Sequence, residues 1–167
     1  MLSKDEAAAL VRFSSRLSHL LVASMMMKRL AERLGENTEE WELTGLLHDL
    51  DIDDARDDMS RHGIITAERL KGKLPQHCLH AIEAHDFRSG VVPTSRLDNA
   101  LIAVDSTAIL VERMKESSQK PDTVALKREI SAISREQPWH RDNILKCKEI
   151  GIELDEFLNL CLGAIER

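Results

Sequence analysis

This chain is predicted to fold as an irregular, all-helical single domain, and three features carry the prediction. Apolar residues recur at three- and four-residue steps almost from end to end, the period of a helix with one buried face. No stretch alternates apolar and polar residues for long enough to make a strand, and no internal repeat is visible. With 43% hydrophobic and 31% charged residues, 7 Gly and 4 Pro, the composition excludes collagen-like, low-complexity and disordered classes. A domain spanning residues 1–167 should bury roughly 68–70% of its unfolded surface, enough for a core without staples.

The elements follow in order. Ser3 with Glu6 is a capping-box pattern that opens a helix through Ala7, Leu10 and Val11. The second helix carries Leu17, Leu20, Leu21, Ser24, Met27, Leu30, Ala31 and Leu34 and stops at Gly35. Its methionines, Met25 to Met27, read as part of a helix buried nearly all round. Thr38, Glu39 and Glu40 start a third helix that runs to about Leu50. An acidic loop follows, then a helix over residues 63–71, and one begun by Pro75 that ends near Asp86. Residues 89–95, with Gly90 and Pro93, form a loop before a long helix over residues 96–117. Pro121 opens a further helix, Pro138 interrupts, and two shorter helices cover residues 141–149 and 154–167.

Charge and composition narrow the function. The formal charge of −6 argues against a surface for long nucleic acid or anionic membrane. Two Trp, three Phe and no Tyr are too few for a base-stacking platform. Cys78, Cys147 and Cys161 show no ligand spacing and read as idle thiols in a reducing compartment. The N-terminus, with Lys4, Asp5 and Glu6, lacks an apolar signal core, and the uncharged stretch from Leu17 to Met27 is shorter than the ~20 residues of a membrane span. A cytoplasmic protein is expected.

The chemistry sits where polar groups interrupt apolar helix faces. Asp105 lies within Ala100-Leu-Ile-Ala-Val-Asp-Ser-Thr-Ala-Ile-Leu-Val111, with no Lys or Arg in the stretch to pair with it. Unpaired and buried, it would cost several kcal/mol, so it must be protonated, salt-bridged or bound to a metal. His48 and Asp49 pose the same question at the end of Leu43-Thr-Gly-Leu-Leu-His-Asp-Leu50, and His19 poses it between Leu17 and Leu20. Each alone has an ordinary explanation as a hydrogen-bonded core residue or a cap. Together, imidazoles and carboxylates suit a divalent transition metal. On the helix from Pro75, His85 shares the inward face with Cys78 and Ile82, whereas His77 and His80 fall opposite and are assigned to solvent. His62 precedes Gly63-Ile64-Ile65 and reads equally well as a cap or as a ligand. Asp49, Asp51 and Asp53 imitate the start of a calcium loop, but Asp54 stands where Gly is needed and Ser60 where a bidentate Glu is needed. The acidic loop is therefore read as solvated surface, or as carboxylates near a metal-bound water.

His19, the His48-Asp49 doublet and Asp105 resemble, in order and helical setting, the H…HD…D signature of the HD-domain metal-dependent phosphohydrolases. His62, in Arg-His-Gly, and His85, in Glu-Ala-His-Asp, resemble the two extra histidines of members that hold two metals. The likeness runs from about Ser14 to Glu166, including a tail like that of small stand-alone members. Two departures stand out: His48-Asp49-Leu50-Asp51 replaces the His-Asp-Ile-Gly of many two-metal relatives, and the segment after Asp105 is short and poor in lysine.

The resemblance implies hydrolysis of a small phosphate ester, with His19, His48, Asp49, His62, His85 and Asp105 as metal ligands. The ligand types fit Mn, Fe, Zn, Ni or Co. Two ions about 3.5–4 Å apart would share Asp49 and a water, acidify that water and neutralise the phosphoryl oxygens. Arg61, Arg88 and Arg141 are the candidate cations for phosphate, and none is placed among the site residues. Two alternatives belong to other classes: a metal- or nucleotide-binding regulatory module without turnover, and a di-iron oxygenase on the same scaffold.

Overall fold

The computed structural model describes residues 1–133, 135 and 137–166. Among these there are nine α-helices and no strand. They are α1 (Lys4–Val11), α2 (Leu17–Leu34), α3 (Thr38–Leu47), α4 (Ile64–Leu70), α5 (Gln76–Ala84), α6 (Arg96–Glu116), α7 (Thr123–Ile133), α8 (Pro138–Ile144) and α9 (Leu154–Ile165). The all-helical expectation is met.

Local chemistry sets the helix ends. Ser3 and Glu6 close their reciprocal capping box on α1. A second box caps α6, where the Ser95 hydroxyl accepts from the Asp98 amide and Asp98 accepts from the Ser95 amide. Gly35 ends α2 in the left-handed conformation, φ 69°. Three sequence expectations shift. Asn37, not Thr38, caps α3, its side chain accepting from the amides of Glu39 and Glu40. That helix ends at Leu47 with His48 as its C-cap, so Asp49 and Leu50 lie in the following turns. Pro138 opens α8 as its first residue, where a missing N–H costs nothing, and the expected helix over 141–149 is instead α8 followed by a 3-10 segment, Leu145–Ile150. The final helix ends at Ile165, and Arg167 lies outside the described residues.

One apolar cluster runs through all nine helices and the segments between them, from Ala7 to Leu162. Met26 and Met27 are fully buried in it, but Met25 and Leu21 are exposed, so α2 is buried on one side only. α2 and α3 form a hairpin so close that a Cβ on Gly45 would stand 2.9 Å from the Ala23 carbonyl oxygen. Glycine is therefore required where α3 crosses the second turn of α2, one turn from the point where the start of α2 lies opposite the end of α3. His19 and His48 meet there. α6 passes beneath both with Asp105 near its middle, and α5 delivers His85 at its C-cap. No helix is long and apolar enough to cross a membrane among the described residues.

Candidate metal centre

The six residues singled out on the sequence converge. Three imidazole Nε2 atoms surround one oxygen of Asp49: His62 at 3.0 Å, His85 at 3.3 Å and His48 at 3.4 Å from Oδ1. His19 Nε2 is 3.8 Å from Asp49 Oδ2 and 3.0 Å from Asp105 Oδ1, and His48 Nε2 is 3.6 Å from the same Asp105 oxygen. His19 and His48 face each other at 3.3 Å through Nε2, as do His62 and His85 at 3.2 Å. Two ligand groups result, His19–His48–Asp49–Asp105 and Asp49–His62–His85, and Asp49 belongs to both.

The far side of each ring explains why the Nε2 atoms point inward. His48 Nδ1 donates to the Gly45 carbonyl at 2.9 Å, and His85 Nδ1 donates to the Ile82 carbonyl at 2.6 Å. His62 Nδ1 donates to Asp51 Oδ1 at 2.7 Å. An acceptor at Nδ1 holds the proton there and leaves Nε2 bare in the neutral ring. Glu112 Oε2 stands 3.4 Å from His19 Nδ1, in ion-pair range but without hydrogen-bond geometry. Bare nitrogens facing each other and a carboxylate within 4 Å repel unless a cation lies between them. The donor set thus fits a metal, and without one it holds protons.

The ionisation of the metal-free site follows. Burial disfavours a charged His19, yet the carboxylates of Asp105, Glu112 and Asp49 outweigh it and raise its pKa to about 9. His62 is likewise opposed by burial and raised to about 10 by Asp49 and Asp51, and Asp49 raises His85 against the same opposition. Burial works against ionised Asp49 and Asp105 as well. The surrounding imidazoles still hold both carboxyls well below the ordinary carboxylate range. Asp105 therefore has its counter-charge, from His19 on another helix. At 16% side-chain exposure it opens onto a cleft instead of lying sealed in the core.

Of the two readings of the acidic loop, solvated surface fails for Asp51. It is fully buried. Besides the His62 ring, its carboxylate accepts from the amides of Gly63 and Thr66, both at 2.9 Å, so burial is overcome and the group stays ionised. Gly63 has φ 78°, and a Cβ there would stand 2.4 Å from the Ile82 carbonyl oxygen and 3.3 Å from the His85 ring. The departure from His-Asp-Ile-Gly thus places a carboxylate that aims His62. In the sequence Asp51 stands between apolar Leu50 and Ile52, but its partners are distant in the chain.

Other assignments separate. His77 is exposed and pairs with Glu40. His80, expected in solvent, is only half-exposed and lies 3.0 Å from buried Asp98, the capping carboxylate of α6. All three cysteines are buried and unpaired, and burial pushes Cys78 and Cys147 up to about 11. Of the three arginines considered, Arg88 lines the cleft, with its guanidinium held on Asp86, whereas Arg61 pairs with Glu68 outside it. Arg141 is not among the cleft residues. The sequence reading missed Arg16, whose Nε is 3.7 Å from Asp49 Oδ2. The cleft holds about 250 Å³, smaller than the roughly 300–1,000 Å³ of drug-sized pockets.

The family model described as HD domain matches residues 16–127, a span that contains all six convergent residues. Comparisons with curated proteins and with solved structures yield no match.

Proposed function

Because the chain belongs to the HD-domain family, we propose that it hydrolyses a small phosphate ester at a centre of two divalent metal ions bridged by Asp49. The observation that carries this reading is the membership of Asp49 in both ligand groups. His19, His48 and Asp105 complete one group, and His62 and His85 complete the other. Imidazole and carboxylate ligands favour Mn, Fe, Zn, Ni or Co. Bound there, such ions supply positive charge to the phosphoryl oxygens and acidify the attacking water.

The chain's own residues do the rest. Three buried rings, fixed from behind by Gly45, Ile82 and Asp51, present their nitrogens without reorganisation. Arg16 and Arg88 line the cleft and provide cations for a dianionic ester on a protein whose net charge is −6. A cleft of about 250 Å³ matches the size of a small ester. Continuity of one core from α1 to α9 supports reading residues 1–167 as one domain.

The test is elemental analysis of the purified protein, followed by phosphate release from a panel of phosphate esters with and without Mn²⁺. The reading expects up to two ions per chain and metal-dependent hydrolysis. Bound metal without turnover on any ester would favour a regulatory module, and substrate-dependent oxygen uptake would favour an oxygenase.

A further inference from the structure

We propose that Phe87 and Trp139 form an aromatic subsite at the mouth of the metal cleft, selecting esters whose alcohol part carries a planar ring. The proposal rests on the reading of the centre as a phosphate site and adds the chemistry of the leaving group.

The chain has five aromatic residues, and their placement is uneven. Trp41 and Phe157 are buried in the core, and Phe13 stands on the surface beneath the Arg12 guanidinium. The other two come from distant segments and meet: the Phe87 and Trp139 centroids are 6.3 Å apart, with the rings inclined at 46°. Both line the cleft that contains Asp49 and Asp105. Phe87 is 67% and Trp139 38% exposed, so neither ring is stabilised there by core burial.

Each ring is nevertheless held. Buried His140 stacks on Trp139 at 3.7 Å and 26°, and Pro138 fixes the first turn of α8 beneath it. Phe87 rides on a 3-10 turn, Phe87–Ser89, capped by Asp86 and closed by left-handed Gly90. An inclined pair at this spacing forms a wedge. A planar group can stack on one face and meet the other ring edge-on, which aromatic quadrupoles favour. The one cleft is lined both by the carboxylates, imidazoles and arginines of the centre and by the two rings. Its volume of about 250 Å³ admits a phosphate with one ring-sized group. Composition alone argues against stacking, because five aromatics are few, but two of them are in one place.

The test uses three non-hydrolysable ligands of equal charge, benzylphosphonate, cyclohexylmethylphosphonate and methylphosphonate, titrated calorimetrically into the Mn²⁺-loaded protein. Benzylphosphonate should bind about tenfold tighter than methylphosphonate and about threefold tighter than its cyclohexyl analogue, the increments expected of stacking plus apolar burial. Trp139→Ala should reduce the benzyl preference to about twofold, with Mn²⁺ stoichiometry unchanged. Should that variant fold poorly, Phe87→Ala, at an exposed turn, is expected to halve the preference or more. Equal affinity for benzyl and methyl ligands overturns the subsite. Benzyl and cyclohexylmethyl ligands binding alike overturn the planar-ring requirement. Failure of methylphosphonate itself to bind overturns the underlying phosphate reading, and the subsite falls with it.

Discussion

The two ligand groups of the centre are built differently, although they share Asp49. His19, His48 and Asp105 stand on or at the end of three core helices, α2, α3 and α6, and a close contact at Gly45 holds α2 against α3. His85 is a helix C-cap like His48, but His62 follows a 3-10 turn, and that half depends further on Asp51 and on a glycine in the left-handed region. The first group inherits its geometry from the hydrophobic core. The second adds a buried carboxylate, Asp51, that fixes His62 from behind. The comparison teaches that the two ions, where both bind, should differ in how easily each is lost.

The largest effect should come from the shared ligand. Asp49→Ala should remove both ions and nearly all hydrolysis, and should destabilise the metal-free protein by about 3 kcal/mol by leaving buried cationic imidazoles uncompensated. Elemental analysis and denaturant unfolding measure both terms. Asp51→Asn should then break the symmetry of the centre. It should weaken the ion at His62 and His85 by about 10–100-fold while leaving the other group's ion in place, as read by metal-competition titration. If it weakens both equally, the two halves are not independently supported.

Asp105→Asn tests the core-supported half. It should weaken that ion by more than about tenfold. The sequence shows no cation near Asp105, which suggests strain that neutralisation would relieve. The His19 pair reverses that expectation: at pH 6 the metal-free variant should lose about 1–3 kcal/mol, visible as a lower Tm.

The most gradual effect is the pH dependence of the metal-free protein. His19 and His62 have folded pKa values of about 9 and about 10 against an ordinary 6.5, so the folded state binds protons more tightly than the unfolded one. Their contribution is complete below pH 6.5 and declines as pH rises toward 9–10. Tm should fall over that window, and metal affinity should rise over it because ligation displaces those protons. A flat Tm between pH 6 and 10 would mean that the imidazoles are neutral without metal.

The six convergent residues were legible because a polar residue on an apolar helix face has few explanations. Helix period and capping patterns foretold α1, α2 and α6 for the same local reason. Asp51 was not legible as a positioning residue, since its partners are backbone amides of Gly63 and Thr66 that only the fold brings near. It was masked by Asp53 and Asp54, which are exposed. Arg16 and Trp139 sit at helix starts, outside any apolar run that would make them conspicuous. Where Pro138 was read as a break, the first turn of a helix tolerates proline equally well.

The central claim is that one carboxylate joins two ions, and electron paramagnetic resonance of the Mn²⁺-loaded protein addresses it directly. Two Mn²⁺ per chain bridged by Asp49 should give an exchange-coupled spectrum, which Asp51→Asn converts to the six-line signal of an isolated ion as the second is lost. A spectrum that stays uncoupled at full loading, or a stoichiometry that never exceeds one ion per chain, would contradict the account.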